Sequence, residues 1–190
     1  MKIWISNRQR KTAISPEKIR KKAGKILSAL GWSEAILSLT LLGDQAMARL
    51  NRETFGRRGP TNVIAFPLDE MMPGGGGRGP KTFAPTPNLP PPIPKVKIPA
   101  PPKVAPGGPE SLGPPNPPLL LGEVVISVET TRRQAKEFGW PWKELLDFFL
   151  IHGILHLMGY THGTPGEEEA MTAKTWELMR LLHPKLVAGH

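Results

Sequence analysis

The chain contains no cysteine. That excludes disulfides, thiolate metal ligands and a cysteine nucleophile, and it fits a reducing compartment. Acidic residues are scarce: 16 Asp and Glu stand against 25 Lys and Arg, giving a formal net charge of +9 and a pI near 10.0. This balance suits a polyanionic partner such as RNA, DNA or a membrane surface, although it sets no fold. Long apolar runs are missing as well. The longest, from about Leu145 to Met158, is broken by Asp147, His152 and His156, so nothing approaches the ~20 residues that cross a bilayer. Residues 1–15 carry Lys2, Arg8, Arg10 and Lys11 without a continuous apolar stretch, so no signal peptide is expected. The expectation is a cytoplasmic protein that does not engage a membrane. With 190 residues, it should form one domain rather than two.

Proline and glycine are abundant, but in one place. Pro73 to Pro118 holds 17 of the 23 prolines and 8 of the 20 glycines. Proline removes backbone donors and glycine raises the entropic cost of ordering, so this insert should be disordered or extended and contribute nothing to a core. Its bland role is a tolerated surface loop. A tether for RNA or a PxxP docking segment are the functional alternatives. The insert carries a net charge of +4, which leaves +5 on the remaining 144 residues, so the folded part is itself basic.

The flanks alternate in character. Strands are expected at 2–6, 35–42, 62–68 and 122–128. Ser15-Pro16-Glu17 reads as a helix start, followed by Ile19, Ala23, Ile26, Leu27 and Leu30 at helical spacing up to Gly31. A second helix starts at Gly43-Asp44. Thr130 or Thr131 is expected to cap a third, and Pro141 to open a fourth that is apolar on nearly every side and therefore buried. The last runs from Glu167 to Leu182, with His183 facing solvent or the helix's negative end. The order β-α-β-α-β-β-α-α-α predicts an α+β fold: one mixed sheet of about four strands packed with helices. The five tryptophans form no stripe and are expected in the core or an interface rather than against bases.

Three of the five histidines fall within eleven residues, in His152-Gly-Ile-Leu-His156-Leu-Met-Gly-Tyr-Thr-His162. On a helix, His152 and His156 project from one face, one turn apart. Gly159 can stop the helix in a left-handed conformation and return the chain, bringing His162 toward the same point. Three neutral imidazoles with an open fourth position describe a catalytic zinc site rather than a structural one. The spacing matches the ligand framework of the metzincin proteases. Those enzymes need a glutamate directly after the first histidine as general base; here it is Gly153. A peptidase of that design lacks its base, which turns the expected metal chemistry toward phosphate esters.

The histidine stretch resembles the signature of the YbeY endoribonucleases, bacterial ribosomal-RNA maturation factors. "LNRETFGRRGPTNVIAFP" (50–67) and "LGEVVISVETTRRQA" (121–135) are similar to two further stretches of that family. The resemblance spans nearly everything except the proline-rich insert, and it implies a zincin-like site in which His152, His156 and His162 hold one Zn²⁺, with no small-molecule cofactor. It also implies single-strand-specific cleavage of RNA, maturation of the 3′ end of the small-subunit ribosomal RNA, ribosome quality control and association with the small ribosomal subunit. There are departures from the family pattern. Thr161 replaces the aspartate before the third histidine, and Phe55 replaces an arginine. Ala65 replaces a serine, and Glu123 replaces an aspartate. Arg57 and Arg58, close after Phe55, are the candidates for gripping a phosphate, with Arg132 and Arg133 holding the backbone. Two other readings stay open: a ribosome-assembly factor that acts by binding with little catalysis, and metal-dependent hydrolysis of another ester.

Overall fold

A computed structural model describes residues 1–68 and 120–187. The elements run β1 (Lys2–Asn7), α1 (Pro16–Ala29), β2 (Ile36–Leu42), α2 (Asp44–Phe55), β3 (Val63–Pro67), β4 (Leu120–Ser127), α3 (Val128–Phe138), α4 (Trp142–Leu157), α5 (Pro165–Leu182) and a short α6 (Pro184–Val187). The proline-rich insert assigned to 73–118 lies outside the described residues.

The four strands form one mixed sheet in the order β1-β2-β4-β3. β1 pairs with β2 and β2 with β4 in parallel, while β3 closes the edge antiparallel to β4. Alternation divides the strand residues between two faces. Leu37, Leu39, Leu41, Val63, Ala65, Val124 and Ile126 face the main core with α1, α4 and α5. Leu42, Ile64 and Val125 face the other way, against Met47 of α2. The register between β2 and β4 shifts at Ile36/Leu37, next to Gly122. Gly122 has φ +133°, and a β-carbon there would lie 2.1 Å from the Phe66 carbonyl oxygen, so no other residue fits this bulge.

Every residue of α4 from Leu145 to Leu157 is buried, as expected of a helix that is apolar all round. It is wrapped by β3, β4, α1, α3 and α5. One polar residue near its middle, Asp147, is 1% exposed. Its carboxylate meets Lys22 of α1 and accepts a hydrogen bond from His183 Nε2 at 2.7 Å. His183 therefore does not face solvent as expected; it ends α5 and ties that helix to α4.

Two boundaries differ from the sequence reading. Ser127, not Thr130 or Thr131, caps α3: its hydroxyl accepts from the Thr130 amide. β4 passes into α3 without a loop, so the last strand residue doubles as the cap. α5 starts at Pro165 rather than Glu167, because Thr164 and Glu167 form a reciprocal capping box.

Candidate metal centre

His152 and His156 lie one turn apart near the C-terminal end of α4. The helix stops at Met158, and Gly159, at φ +89°, takes the left-handed position. The Tyr160 amide then donates back to the Leu155 carbonyl at 3.1 Å, the reach expected of a Schellman turn. This reversal returns the chain so that the His162 ring stacks on His152, with centroids 5.0 Å apart and planes 20° from parallel.

The three rings point their Nε2 atoms inward. His152 Nε2 lies 2.9 Å from His156 Nε2 and 3.3 Å from His162 Nε2, and the three potential ligand atoms all lie within 4.8 Å of one another. Nitrogens on a tetrahedral ion at ~2.0–2.1 Å stand about 3.3 Å apart, so one ion fits among them. His156 Nδ1 donates to the Tyr160 carbonyl at 2.8 Å. That bond selects the tautomer whose Nε2 lone pair faces inward, the outer-shell arrangement typical of a metal-bound imidazole.

Electrostatics favour neutral rings. Burial, then the neighbouring His156 and His162, push His152 well below its ordinary pKa. Burial also lowers His162, although Glu168 and Glu167 oppose it. Two of the rings are deeply buried, His152 at 8% exposure and His156 at 3%. His162 is half-buried and leaves the site one open side. The arrangement can hold a metal ion through three neutral nitrogens, with a position left for an incoming group.

A family model described as Endoribonuclease YbeY matches residues 4–183. The chain belongs to the endoribonuclease YbeY family. It is similar to the Endoribonuclease YbeY of Geobacter metallireducens, at 35% identity over 96% of both chains. The protein of the same name from Geobacter sulfurreducens is 34% identical, again over 96% of both. The fold is similar to the solution structure of TM1509 from Thermotoga maritima, with a TM-score of 0.56 at 18% identity, covering 98% of this chain and 92% of that one.

Against the YbeY-family pattern, three positions gain a physical account. Gly153 faces the sheet. A β-carbon there would lie 2.5 Å from Val124 Cγ1 and 3.2 Å from Val63 Cγ2. The missing glutamate is thus a consequence of how closely α4 lies on β3 and β4, a requirement that the sequence pattern did not reveal.

Thr161, where the family pattern has an aspartate, donates its hydroxyl to Glu167. That bond is the leading cause of the lowered Glu167 pKa, ahead of donation from the Thr164 and Gly163 amides. The Thr164 amide reaches the same carboxylate at 2.9 Å. One carboxylate at the start of α5 therefore gathers the loop that carries His162. Sequence reasoning missed Glu167; the signal was the Thr-x-x-Glu spacing of a capping box beginning two residues after the third ligand.

Arg57 and Arg58 follow the left-handed Gly56 that ends α2. Arg57 is half-buried and Arg58 exposed, and neither forms an ion pair among the described residues. Asn51 Nδ2 donates to the Gly59 carbonyl at 2.9 Å, fixing this link ahead of β3, the edge strand against which α4 packs. Arg133 is engaged elsewhere: it donates to Asp44 Oδ2 at 2.7 Å and to Thr130 Oγ1 at 3.0 Å. Asp44 also accepts from Ser127 and Thr130. Burial alone would raise the Asp44 pKa, but these bonds outweigh it and hold the carboxyl below its usual value. This network joins α2 to α3, so of the two arginines only Arg132 remains exposed without a carboxylate partner among the described residues.

Proposed function

We propose that the chain cuts single-stranded RNA with one zinc ion held by His152, His156 and His162. We further propose that its substrate is the precursor of the small-subunit ribosomal RNA, cut near its 3′ end, and that it serves ribosome quality control in the cytoplasm. Membership of the family makes the chain an endoribonuclease; the metal, the strand preference and the RNA are the added steps. The observation that carries the reading is the convergence of three Nε2 atoms with the His156 tautomer fixed by Tyr160.

When bound, the ion supplies Lewis acidity, lowering the pKa of a water and polarising a phosphoryl oxygen. The chain's own residues do the rest. Burial keeps the imidazoles neutral and excludes water from behind the site. His162 presents the open side, and the carboxylate of Glu167 keeps its loop in place. Arg57 and Arg58, on the link into β3, supply guanidinium groups that can grip a phosphate in pairs of hydrogen bonds. Gly153 offers no acid–base side chain, which argues against peptide hydrolysis. The basic surface predicts RNA binding that weakens steeply with added salt.

The test pairs His156→Ala with metal removal by chelation. Cleavage of single-stranded precursor RNA should vanish in both, and metal content in the variant should fall from one ion per chain toward none. Undiminished cleavage in both would refute the proposal. Thr161 and Phe55, which depart from the family pattern, favour a second reading in which the chain acts by binding. It prevails if His156→Ala and wild type bind small subunits equally and neither cuts.

A further inference from the structure

Away from the histidines, a recess of about 660 Å³ opens between residues 13–15, the first turns of α1 and the N-terminal turn of α4. Ile14, Ile19, Leu146 and Trp142 give it apolar walls, while Lys18, Lys22 and Lys143 make it cationic. Lys22 is neutralised by buried Asp147. Lys18 and Lys143 are exposed and form no ion pair among the described residues. Trp142 is flanked by two cations: the Arg132 guanidinium stands 5.8 Å from the ring centroid and the Lys143 ammonium 5.9 Å. Arg132 is held there by donating to Thr12 Oγ1 at 3.0 Å. α4 has no side-chain cap at its N-terminus, so its first amides add to the positive field.

An occupant that satisfies both halves of this recess carries an anion and a flat apolar group. We propose that the recess holds one unpaired nucleotide of the RNA, with its phosphate on Lys18 and Lys143 and its base along Trp142. Base–aromatic stacking beside a cationic groove is the usual way single strands are held without sequence readout, and a base inside a duplex is not free to enter. The recess lies about 15 Å from the histidines along α4, ten residues at ~1.5 Å each. The RNA must therefore extend several nucleotides from the cut. This inference rests on the reading of the chain as a single-strand endoribonuclease.

The test uses the full chain and Lys18→Glu/Lys143→Glu, both at exposed positions that leave the fold intact. The Trp142 indole N–H signal is identified by its loss in Trp142→Phe and then followed by NMR during titration with AMP, UMP or inorganic phosphate. Either nucleotide should shift it in the parent chain, the double variant should show no shift, and phosphate alone should leave it in place. For a 20-nucleotide single strand, the double variant should raise KM about tenfold with kcat unchanged and reduce the salt slope by about 1.4, from two lost phosphate contacts. A dinucleotide substrate, too short to reach the recess, should be cut equally by both. The proposal is overturned if nucleotides leave the signal unmoved, if phosphate moves it as much as they do, or if KM does not change. The titration needs no cleavage. A silent titration with normal cutting therefore removes the recess alone, while a working titration in a chain that cuts no RNA removes the endoribonuclease reading and leaves the nucleotide site standing.

Discussion

Gly153→Ala sets two effects of opposite sign against each other. In an unconstrained helix interior, glycine to alanine stabilises by about 1 kcal/mol, because alanine loses less backbone entropy. At this position the new methyl would sit 2.5 Å from Val124 Cγ1, 3.1 Å from Val124 Cγ2 and 3.2 Å from Val63 Cγ2. Val124 is fully buried and β-branched, with little rotamer freedom to yield. Overpacking of this kind costs about 1–3 kcal/mol, so the variant should be net destabilised by about 1 kcal/mol. The displacement should tilt α4 away from β3 and β4 and weaken metal binding with it. The assay is urea unfolding of metal-free protein, with Gly153→Ala compared in the parent and in a Val124→Ala background. Val124→Ala alone should cost about 2 kcal/mol through lost burial. Because it also removes the methyls that obstruct residue 153, Gly153→Ala should stabilise the Val124→Ala protein by up to about 1 kcal/mol. The sign should reverse between backgrounds, a coupling that a double-mutant cycle reads directly. If Gly153→Ala stabilises the parent chain, the glycine is not there for close helix–sheet contact and the explanation of the missing glutamate is wrong.

Glu167→Gln should weaken zinc affinity about tenfold, the lower end for groups that orient metal ligands, as read by competition with a chromophoric chelator; Glu169→Gln should leave it unchanged, and equal effects would refute the role of Glu167. Metal-free protein should lose stability as pH falls below the ordinary histidine value of 6.5. The unfolded chain then takes up a proton that buried His152 resists, so the slope should approach about 1.4 kcal/mol per pH unit between the two pKa values and be absent above pH 7; His152→Gln should flatten it, and stability unchanged from pH 7 to 5 would contradict the assignment. Asp147→Ala should cost about 3 kcal/mol, the low end for breaking a buried pair because Lys22 and His183 keep some access to water. Chemical denaturation measures this loss, and a change within 0.5 kcal/mol, about that of an ordinary surface substitution, would show that the cluster does not hold α1 and α5 to α4.

The element order was legible because each helix carries local punctuation. Ser15 and Pro16 start α1, Gly56 and Gly139 end α2 and α3, and Gly159 turns the chain after α4. The metal candidates were legible for the same reason: two histidines four apart and a glycine where the chain must reverse. The start of α3 was misplaced because Ser127 serves both strand and cap. His183 was misplaced because nothing near it in sequence points to Asp147, 36 positions earlier.

The sequence by itself determined which side chains meet within a turn of helix or across one reversal, because the 3.6-residue period and the left-handed freedom of glycine act over a few residues. That was sufficient for the three histidines. Only the tertiary structure decided why residue 153 must be glycine, since the obstructing methyls come from Val124 and Val63, 29 and 90 positions earlier in the chain. It also decided that a carboxylate on α5 supports the third histidine's loop, and that α1 and α4 meet in a cationic recess against Trp142. Such contacts follow from how closely helices and sheet pack, and no local pattern records that distance.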